Sequence, residues 1–345
     1  MTDQRPERGP ANRPKAPADL LQALSATWDI GPTLPTRDLG GSSTLNLLVD
    51  DPQRPVVARI YRPWMTTARL DAMQRTRRHL AAGNLPFASP IATRDGENWI
   101  TIGNHLVELE PYVSSTAKMD SWERIAAAMS TLGQIHELLS TLELPEPGRD
   151  APASNSIARA DLVAGVERGV HRLRSVADSS DELGLAETAL RLAIRVANAE
   201  EDLDPGPAQL VHGDFWDNNV FFDNGQIVLV TDLDFMGIRP RIDDLALTLY
   251  YTNSTFTDDQ TSPQRRRCLV KLVDSYDDAL EQPLNNDERR SLPLAIVRTA
   301  LGFIAMMADA ESDEVVHTLA REMTPDLAWV AATLDNLAEW QSDFT

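Results

Sequence analysis

A single cysteine, Cys268, stands among 345 residues, so no disulfide can close within the chain, and the composition fits a reducing compartment such as the cytoplasm. Basic residues are scarce: 32 Lys and Arg are set against 52 Asp and Glu, a formal net charge of −20. A nucleic-acid partner is not expected on that balance, because a phosphate backbone is met by a basic face. No uninterrupted apolar run approaches the length of a bilayer span, so no membrane role is expected either. The first residues, MTDQRPERGPANRPKAPADL, lack the apolar stretch of a signal peptide and read as a disordered leader over residues 1–18. What is present is ordinary for a globular protein, 42% hydrophobic and 24% charged, in a chain long enough for two lobes with cores of their own. The acidic surplus favours solubility and would attract cationic substrates.

The most informative stretch is residues 210–235, LVHGDFWDNNVFFDNGQIVLVTDLDF. Asp223-Asn224-Gly225 lies between two short apolar runs, Val220 to Phe222 and Ile227 to Thr231, which is a hairpin signal. A hairpin brings the loop before its first strand close to the residue after its second, so Asp214, Asn219 and Asp232 should be neighbours. Phosphoryl transfer from ATP needs such a set: a carboxylate to take the proton of the attacking hydroxyl, and two oxygen ligands to hold Mg²⁺ on the phosphates. An Asp, an Asn five residues on and a second Asp after a hairpin reproduce the order that protein kinases use. Asp and Asn also serve plain turns. Their joint occurrence with His212-Gly213 and the hairpin is what separates the two readings.

These residues resemble the aminoglycoside phosphotransferase and choline kinase superfamily, small-molecule kinases with a protein-kinase-like fold. The segment Gly237 to Ala246, GIRPRIDDLA, is similar to the family's Gly…Tyr-Asp-Leu-Ala stretch, with Asp243 where Tyr is common. The resemblance runs from about Leu39 to about Tyr251. It implies an α+β, two-lobed fold, with a small β-rich N-terminal lobe over 19–110 and a larger, mainly helical C-terminal lobe over 111–345. It further implies ATP and Mg²⁺, with Asp214 as the base, Asn219 and Asp232 as metal ligands, and His212 supporting the loop. The turn at Gly41, Ser42 and Ser43 would cover the phosphates. Arg59 stands where the family commonly has Lys, with Arg62 the nearest alternative cation and solvent exposure the plain reading of its place in the strand. The helical turn that would supply an orienting acid carries Met73 and Gln74, with only Asp71 acidic nearby. Glu108, Leu109 and Glu110 fall at the inter-lobe hinge, where backbone rather than charge would meet the adenine edge.

Elsewhere the pattern predicts helices at Leu20–Trp28, Ala68–Ala82 and from Ser121 to Leu139, with His136 as a buried structural residue. Strands are expected over 39–49, divided by the glycine turn, and over Val56–Tyr61, followed by a hairpin of 98–102 and 105–109. Residues 145–156 read as a loop, and further helices as 158–176, 181–202, 262–282, 286–310, 312–322 and 325–341. Candidate acceptor contacts are Trp216 and Asp217 in the catalytic loop, Asp234, and the acids Asp309, Glu311 and Asp313. Arg239 and Arg241 either pair with Asp243 and Asp244 or bind an anionic acceptor; Asp244 itself reads as a structural partner. The expected acceptor is a hydroxyl-bearing amino sugar, aminoglycoside-like antibiotic, amino alcohol or homoserine-like compound. Two other readings remain: a catalytically silent nucleotide-binding regulator, favoured by Arg59 and the missing helix acid, and a metal-dependent hydrolase using His212, Asp214 and Asp232. The hydrolase lacks a second His or carboxylate at ligand spacing.

Overall fold

The computed structural model describes residues 13–41, 43–151, 154–256 and 260–345. The chain divides into two units, and the division is not a single cut. Met1–Thr116, Glu143–Asp150 and Phe222–Thr231 form one; Ala117–Leu142, Ala151–Phe221 and Asp232–Thr345 form the other. The expected boundary at residue 110 therefore moves to Thr116, and the tip of the hairpin joins the first unit. Backbone pairing explains that: Val230 N–H donates to the Pro86 carbonyl at 2.7 Å, and Thr116 N–H to the Phe222 carbonyl at 2.9 Å.

The first unit is built on an antiparallel sheet, order β1 (Thr36–Asp38), β2 (Leu45–Val49), β3 (Val56–Ile60), β5 (His105–Pro111), β4 (Ile100–Ile102). Alternation sends Leu45, Leu47, Ala58, Ile60, Val107 and Leu109 to one face, where Leu20 and Leu24 of α1 (Leu20–Trp28) complete an apolar core. The first strand precedes the glycine turn at Thr36–Asp38 rather than starting at Leu39. The other face carries Arg59 and Glu108, opposed in the β3–β5 register, and Glu110 opposite Val57. Both faces of β3 are covered, so Arg59 is 3% exposed and is not a solvent residue. Helix α2 (Thr67–Ala82) starts on a Thr66 cap that accepts from Arg69 N–H and stops at Gly83. It buries polar side chains, Gln74 and Arg77 among them. Its Arg69 also holds the carbonyls of Gly148 and Arg149 in the short turn α4 (Glu146–Arg149), at 3.0 and 2.8 Å. Of the leader read over 1–18, the described part is not loose: Arg13 reaches Asp38 Oδ1 at 3.0 Å, beside the glycine turn.

The second unit is mainly helical. After β6 (Ala117–Lys118) come α3 (Trp122–Ser140), α5 (Leu162–Val176) and α6 (Ser180–Glu200). The strand β7 (Ala208–Val211) follows; the expected hairpin, β8 (Val220–Asp223) and β9 (Gln226–Val230), belongs from Phe222 on to the first unit. An additional strand, β10 (Gly237–Pro240), pairs antiparallel with β7, Gly237 opposite Val211. The chain after Asp232 is thereby laid beside the segment that carries His212 to Asp214. Five helices complete the unit: α7 (Arg241–Thr255), α8 (Pro263–Asp277), α9 (Asn286–Met306), α10 (Asp313–Asp335) and α11 (Leu337–Phe344).

One expectation about these late helices is corrected. One helix spans 313–335 where two were expected to flank Pro325. A proline inside a helix costs about 3 kcal/mol. The buried stripe Val316, Ala320, Met323, Leu327, Val330 and Leu334 stays in phase across it, and each large apolar side chain contributes about 1.5–3 kcal/mol on full burial. Packing wins, and the break falls at Asn336 instead. Within Asn286–Asp309 an 18-residue window, interrupted by Arg298, has mean hydropathy 1.7 and is by length and composition able to cross a bilayer, yet 78% of that window is buried. A helix apolar on all sides is a core helix when neighbours surround it, and α9 packs against α5, α6, α7, α10 and α11.

Candidate active site

Asp214 lies in the loop after β7, 8% exposed, with an amide on each carboxylate oxygen. Asn219 Nδ2 donates to Oδ2 at 2.8 Å and to the Asp214 carbonyl at 2.8 Å; Asn155 Nδ2 donates to Oδ1 at 2.5 Å. Burial, then the nearby Asp232 carboxylate, push the Asp214 carboxyl well above its ordinary range, and these donors pull it part of the way back. Asn155 has no counterpart in the sequence reading, which saw only a loop over 145–156.

The loop is held by one acid. Asp244, in the first turn of α7, accepts from His212 N–H at 3.0 Å, Gly213 N–H at 2.9 Å and His136 Nε2 at 3.0 Å. Tyr276 hydroxyl bonds the other nitrogen of His136 at 2.7 Å, so the His136 imidazole is a buried structural link, as expected. His212 Nδ1 accepts Asp214 N–H at 3.3 Å and is a support of the loop. Glycine is required between them: Gly213 has φ +82°, and a Cβ there would stand 2.1 Å from the Phe235 carbonyl oxygen. Thr248 of α7 donates to the Phe215 carbonyl at 2.6 Å and pins the far side.

The donor set suits a hard cation. Both partners of Asn219 Nδ2 are acceptors, so the amide nitrogen must face them and the amide oxygen faces away. Asp232, two residues past the end of β9, has φ +69°, a left-handed conformation that Asp tolerates better than most residues, and its Oδ1 accepts Asp234 N–H at 3.2 Å. A carboxylate and an amide oxygen, as Asp232 and Asn219 offer, are oxygen donors of the type that suits Mg²⁺ or Ca²⁺. Asp234 is 2% exposed, while Trp216 stacks on Tyr251 with centroids 4.6 Å apart. Asp217 is half-buried. Asp309 and Glu311 are exposed, and Asp313 pairs with Arg172 at 2.6 Å on the surface.

In the first unit, Arg59 finds its acid on the strand β5 instead of on the helix. Arg59 Nη1 lies 3.8 Å from Glu110 Oε1 and donates to Thr231 Oγ1 at 3.0 Å. Helix α2 contributes a cation: Arg77 contacts Glu108 at 2.6 Å and Glu110 at 2.9 Å. Tyr61 hydroxyl and Gln74 amide also donate to Glu108, each at 2.6 Å. Two buried arginines thus balance two buried glutamates. Burial pushes the Glu108 carboxyl up, but Arg77, Arg59 and the two hydrogen bonds outweigh it and hold it below the ordinary value. For Glu110 burial prevails, and its carboxyl is raised. These side chains are internal ion pairs, so the reading that Glu108 and Glu110 matter by backbone alone is corrected. The Leu109 carbonyl accepts Ile91 N–H at 2.7 Å. The glycine turn is shaped by Gly40 N–H donating to Asp38 Oδ1 at 2.8 Å, with Gly41 at φ +108°. Arg62 holds the Ser43 carbonyl at 3.0 Å, a turn-forming role. Ser42 lies outside the described residues.

Neither Arg239 nor Arg241 pairs with Asp243 or Asp244. Arg241 makes a bidentate contact with Glu288, at 2.8 and 2.9 Å, and caps the Gln282 carbonyl at 2.9 Å. Arg239 donates to the hydroxyls of Ser154 and Ser156 and to the Phe235 carbonyl. Asp243 pairs with Arg298 at 2.6 Å, since α9 presents that guanidinium to it and to Glu200.

Residues 36–281 match the model of the phosphotransferase enzyme family. A homoserine kinase of Gluconobacter oxydans (strain 621H) is 25% identical over 297 residues, covering 83% of this chain and 86% of that protein. Among solved structures, the amicoumacin kinase hAmiN in complex with AMP-PNP, Ca²⁺ and Ami superposes with a TM-score of 0.68 at 12% identity, over 91% of this chain and 94% of that one. A microcompartment-associated aminopropanol kinase gives 0.64 at 15% identity, over 92% and 97%. The fold shared with these structures is the α+β, kinase-like one.

Proposed function

Because this chain belongs to the phosphotransferase enzyme family, we propose that it is a small-molecule kinase that moves the γ-phosphoryl group of ATP to a hydroxyl of an amino-bearing acceptor in a reducing compartment such as the cytoplasm. The observation that carries this reading is Asp214, a buried carboxylate held by two side-chain amides beside Asp232. Asp214 orients the acceptor hydroxyl and takes its proton as the oxygen attacks phosphorus; ADP leaves with the electron pair of the broken bond. Asn219 and Asp232 would hold Mg²⁺, which neutralises charge on the transferring phosphates. In the first unit, Arg59 and the Gly41–Ser43 turn serve the nucleotide phosphates, and the β5 acids keep the Arg59 guanidinium oriented.

The relatives' names are homoserine, aminopropanol and amicoumacin kinases, so the acceptor is sought among amino alcohols, homoserine, amino sugars and aminoglycosides. A coupled ADP-release screen across that panel tests the reading. Tight nucleotide binding with no acceptor-dependent ADP release would favour a silent regulator.

Asp232→Ala is expected to weaken Mg·ATP binding by calorimetry by more than the roughly 10–100-fold that follows loss of even an outer-shell partner of a metal site. Affinity equal to wild type would remove Asp232 from the metal site. Arg59→Ala should raise the KM for ATP about tenfold or more, as a charge-assisted hydrogen bond contributes about 1.5–3 kcal/mol. Arg59→Lys should keep measurable activity. The Ala variant also leaves Glu110 with Arg77 as its one close cation, so its thermal midpoint should fall; unchanged ATP kinetics would move the phosphate role elsewhere.

A further inference from the structure

Residues 154–157 have no regular secondary structure, yet several side chains of the second unit hold them. Arg239, on β10, donates from Nη1 to Ser154 Oγ at 2.5 Å and Ser156 Oγ at 2.9 Å, and from Nη2 to the Phe235 carbonyl at 2.8 Å. Ser156 N–H donates back to Ser154 Oγ at 3.1 Å, closing a small turn. Arg298, on α9, takes the Ile157 carbonyl at 2.6 Å. The residue between the two serines is Asn155, and its amide nitrogen meets Asp214 Oδ1 at 2.5 Å. The same guanidinium therefore grips both neighbours of Asn155 and the carbonyl against which Gly213 packs, one residue before the base.

We propose that Asn155 is a positioning residue that fixes the carboxylate of Asp214 for proton abstraction, and that Arg239 is the brace that keeps it there. This rests on the phosphotransferase reading of Asp214. Without a partner on Oδ1, the carboxylate would be held through Oδ2 by Asn219 and would keep torsional freedom about its χ2. A general base must present its lone pair to the hydroxyl within hydrogen-bond reach, and a misplacement near 1 Å costs on the order of 100-fold. Arg239 is then neither a surface ion pair nor an acceptor-binding group: its charge is spent on a serine–amide relay that ends at the base.

The test has a kinetic arm and a spectroscopic one. With whichever of L-homoserine, 1-amino-2-propanol or an aminoglycoside the wild type phosphorylates, Asn155→Ala should lower kcat about 10- to 100-fold and leave the KM for ATP unchanged. Arg239→Ala should do the same, and the double variant should be no worse than the single ones. Multiplicative losses in the double variant would overturn the proposal, as would unchanged kcat in Asn155→Ala. In the spectroscopic arm, the Asn155 side-chain NH₂ resonances, assigned by their loss in Asn155→Ala, should be displaced downfield and slow to exchange with water. They should collapse toward free-amide positions in Arg239→Ala, with Arg239→Gln as the substitute should that variant not fold. Resonances that ignore both Arg239 substitutions would refute the brace. If the wild type phosphorylates none of the three probes, the functional reading fails, and the amide resonances still decide whether Arg239 holds Asn155 on Asp214.

Discussion

Asp214→Asn is expected to lower kcat by about 10²–10⁴-fold, the contribution of a general base, with Mg·ATP affinity retained. The substitution keeps shape but removes the proton acceptor. Its effect on stability is the balance of two terms. The new amide offers a single acceptor oxygen where Asn155 and Asn219 now each have one, so one donor loses its partner at a cost of about 1–3 kcal/mol. Against that, a buried carboxylate and its repulsion with Asp232 disappear. The thermal midpoint should therefore move little. Single-turnover assays separate the cases: wild-type phosphoryl transfer in the purified variant would show that Asp214 is not the base.

The largest loss of stability is expected from Asp244→Ala, at about 3–5 kcal/mol in urea unfolding, the range for breaking a buried ionic contact. It strands His136 Nε2 and the backbone N–H groups of His212 and Gly213, all buried. Turnover should fall with it, since the same two N–H groups set the loop that presents Asp214. Burial pushes the Asp244 carboxyl up, but the His136 hydrogen bond and charge, then His212, pull it below its ordinary value of 3.8. A depressed carboxyl contributes stability above about that value and loses it as pH falls through the lower folded one. Wild type should therefore show an acid-dependent fall in stability that is shallower in Asp244→Ala. A midpoint within about 0.5 kcal/mol of wild type, the range of changes away from such features, would mean that the loop is held by other contacts.

Local chemistry made the loop of Asp214 legible. Asp-Asn-Gly dictates a hairpin, the hairpin brings its ends together, and the five-residue step from Asp214 to Asn219 is short enough for one side chain to reach the other. Arg59 was legible as a cation and not as a buried one, because alternation along β3 assigns faces without saying what covers them. Arg77, Glu108 and Glu110 carried a faint signal, polar residues at i and i+3 of a helix (Gln74, Arg77) and at i and i+2 of a strand, which became a network only once α2 lay over that face. Two helices, 312–322 and 325–341, are the local reading where one helix runs through Pro325, because the proline's backbone cost is local and the burial that outweighs it comes from several other elements.

By itself the sequence determined the order Asp214, Asn219, Asp232 and the hairpin that joins them, which follow from residue type, short spacing and one turn, and the family resemblance of that motif implied the α+β class. Only the tertiary structure decided that Asn155 reaches Asp214, that Arg239 serves the loop holding it, and that the acid facing Arg59 lies on β5. Those contacts join residues far apart in sequence, Asn155 to Asp214 by 59 positions and Arg239 to Ser154 by 85. A hydrogen bond is satisfied by whichever donor the folded backbone delivers within about 3 Å, and neither periodicity nor composition carries that distance.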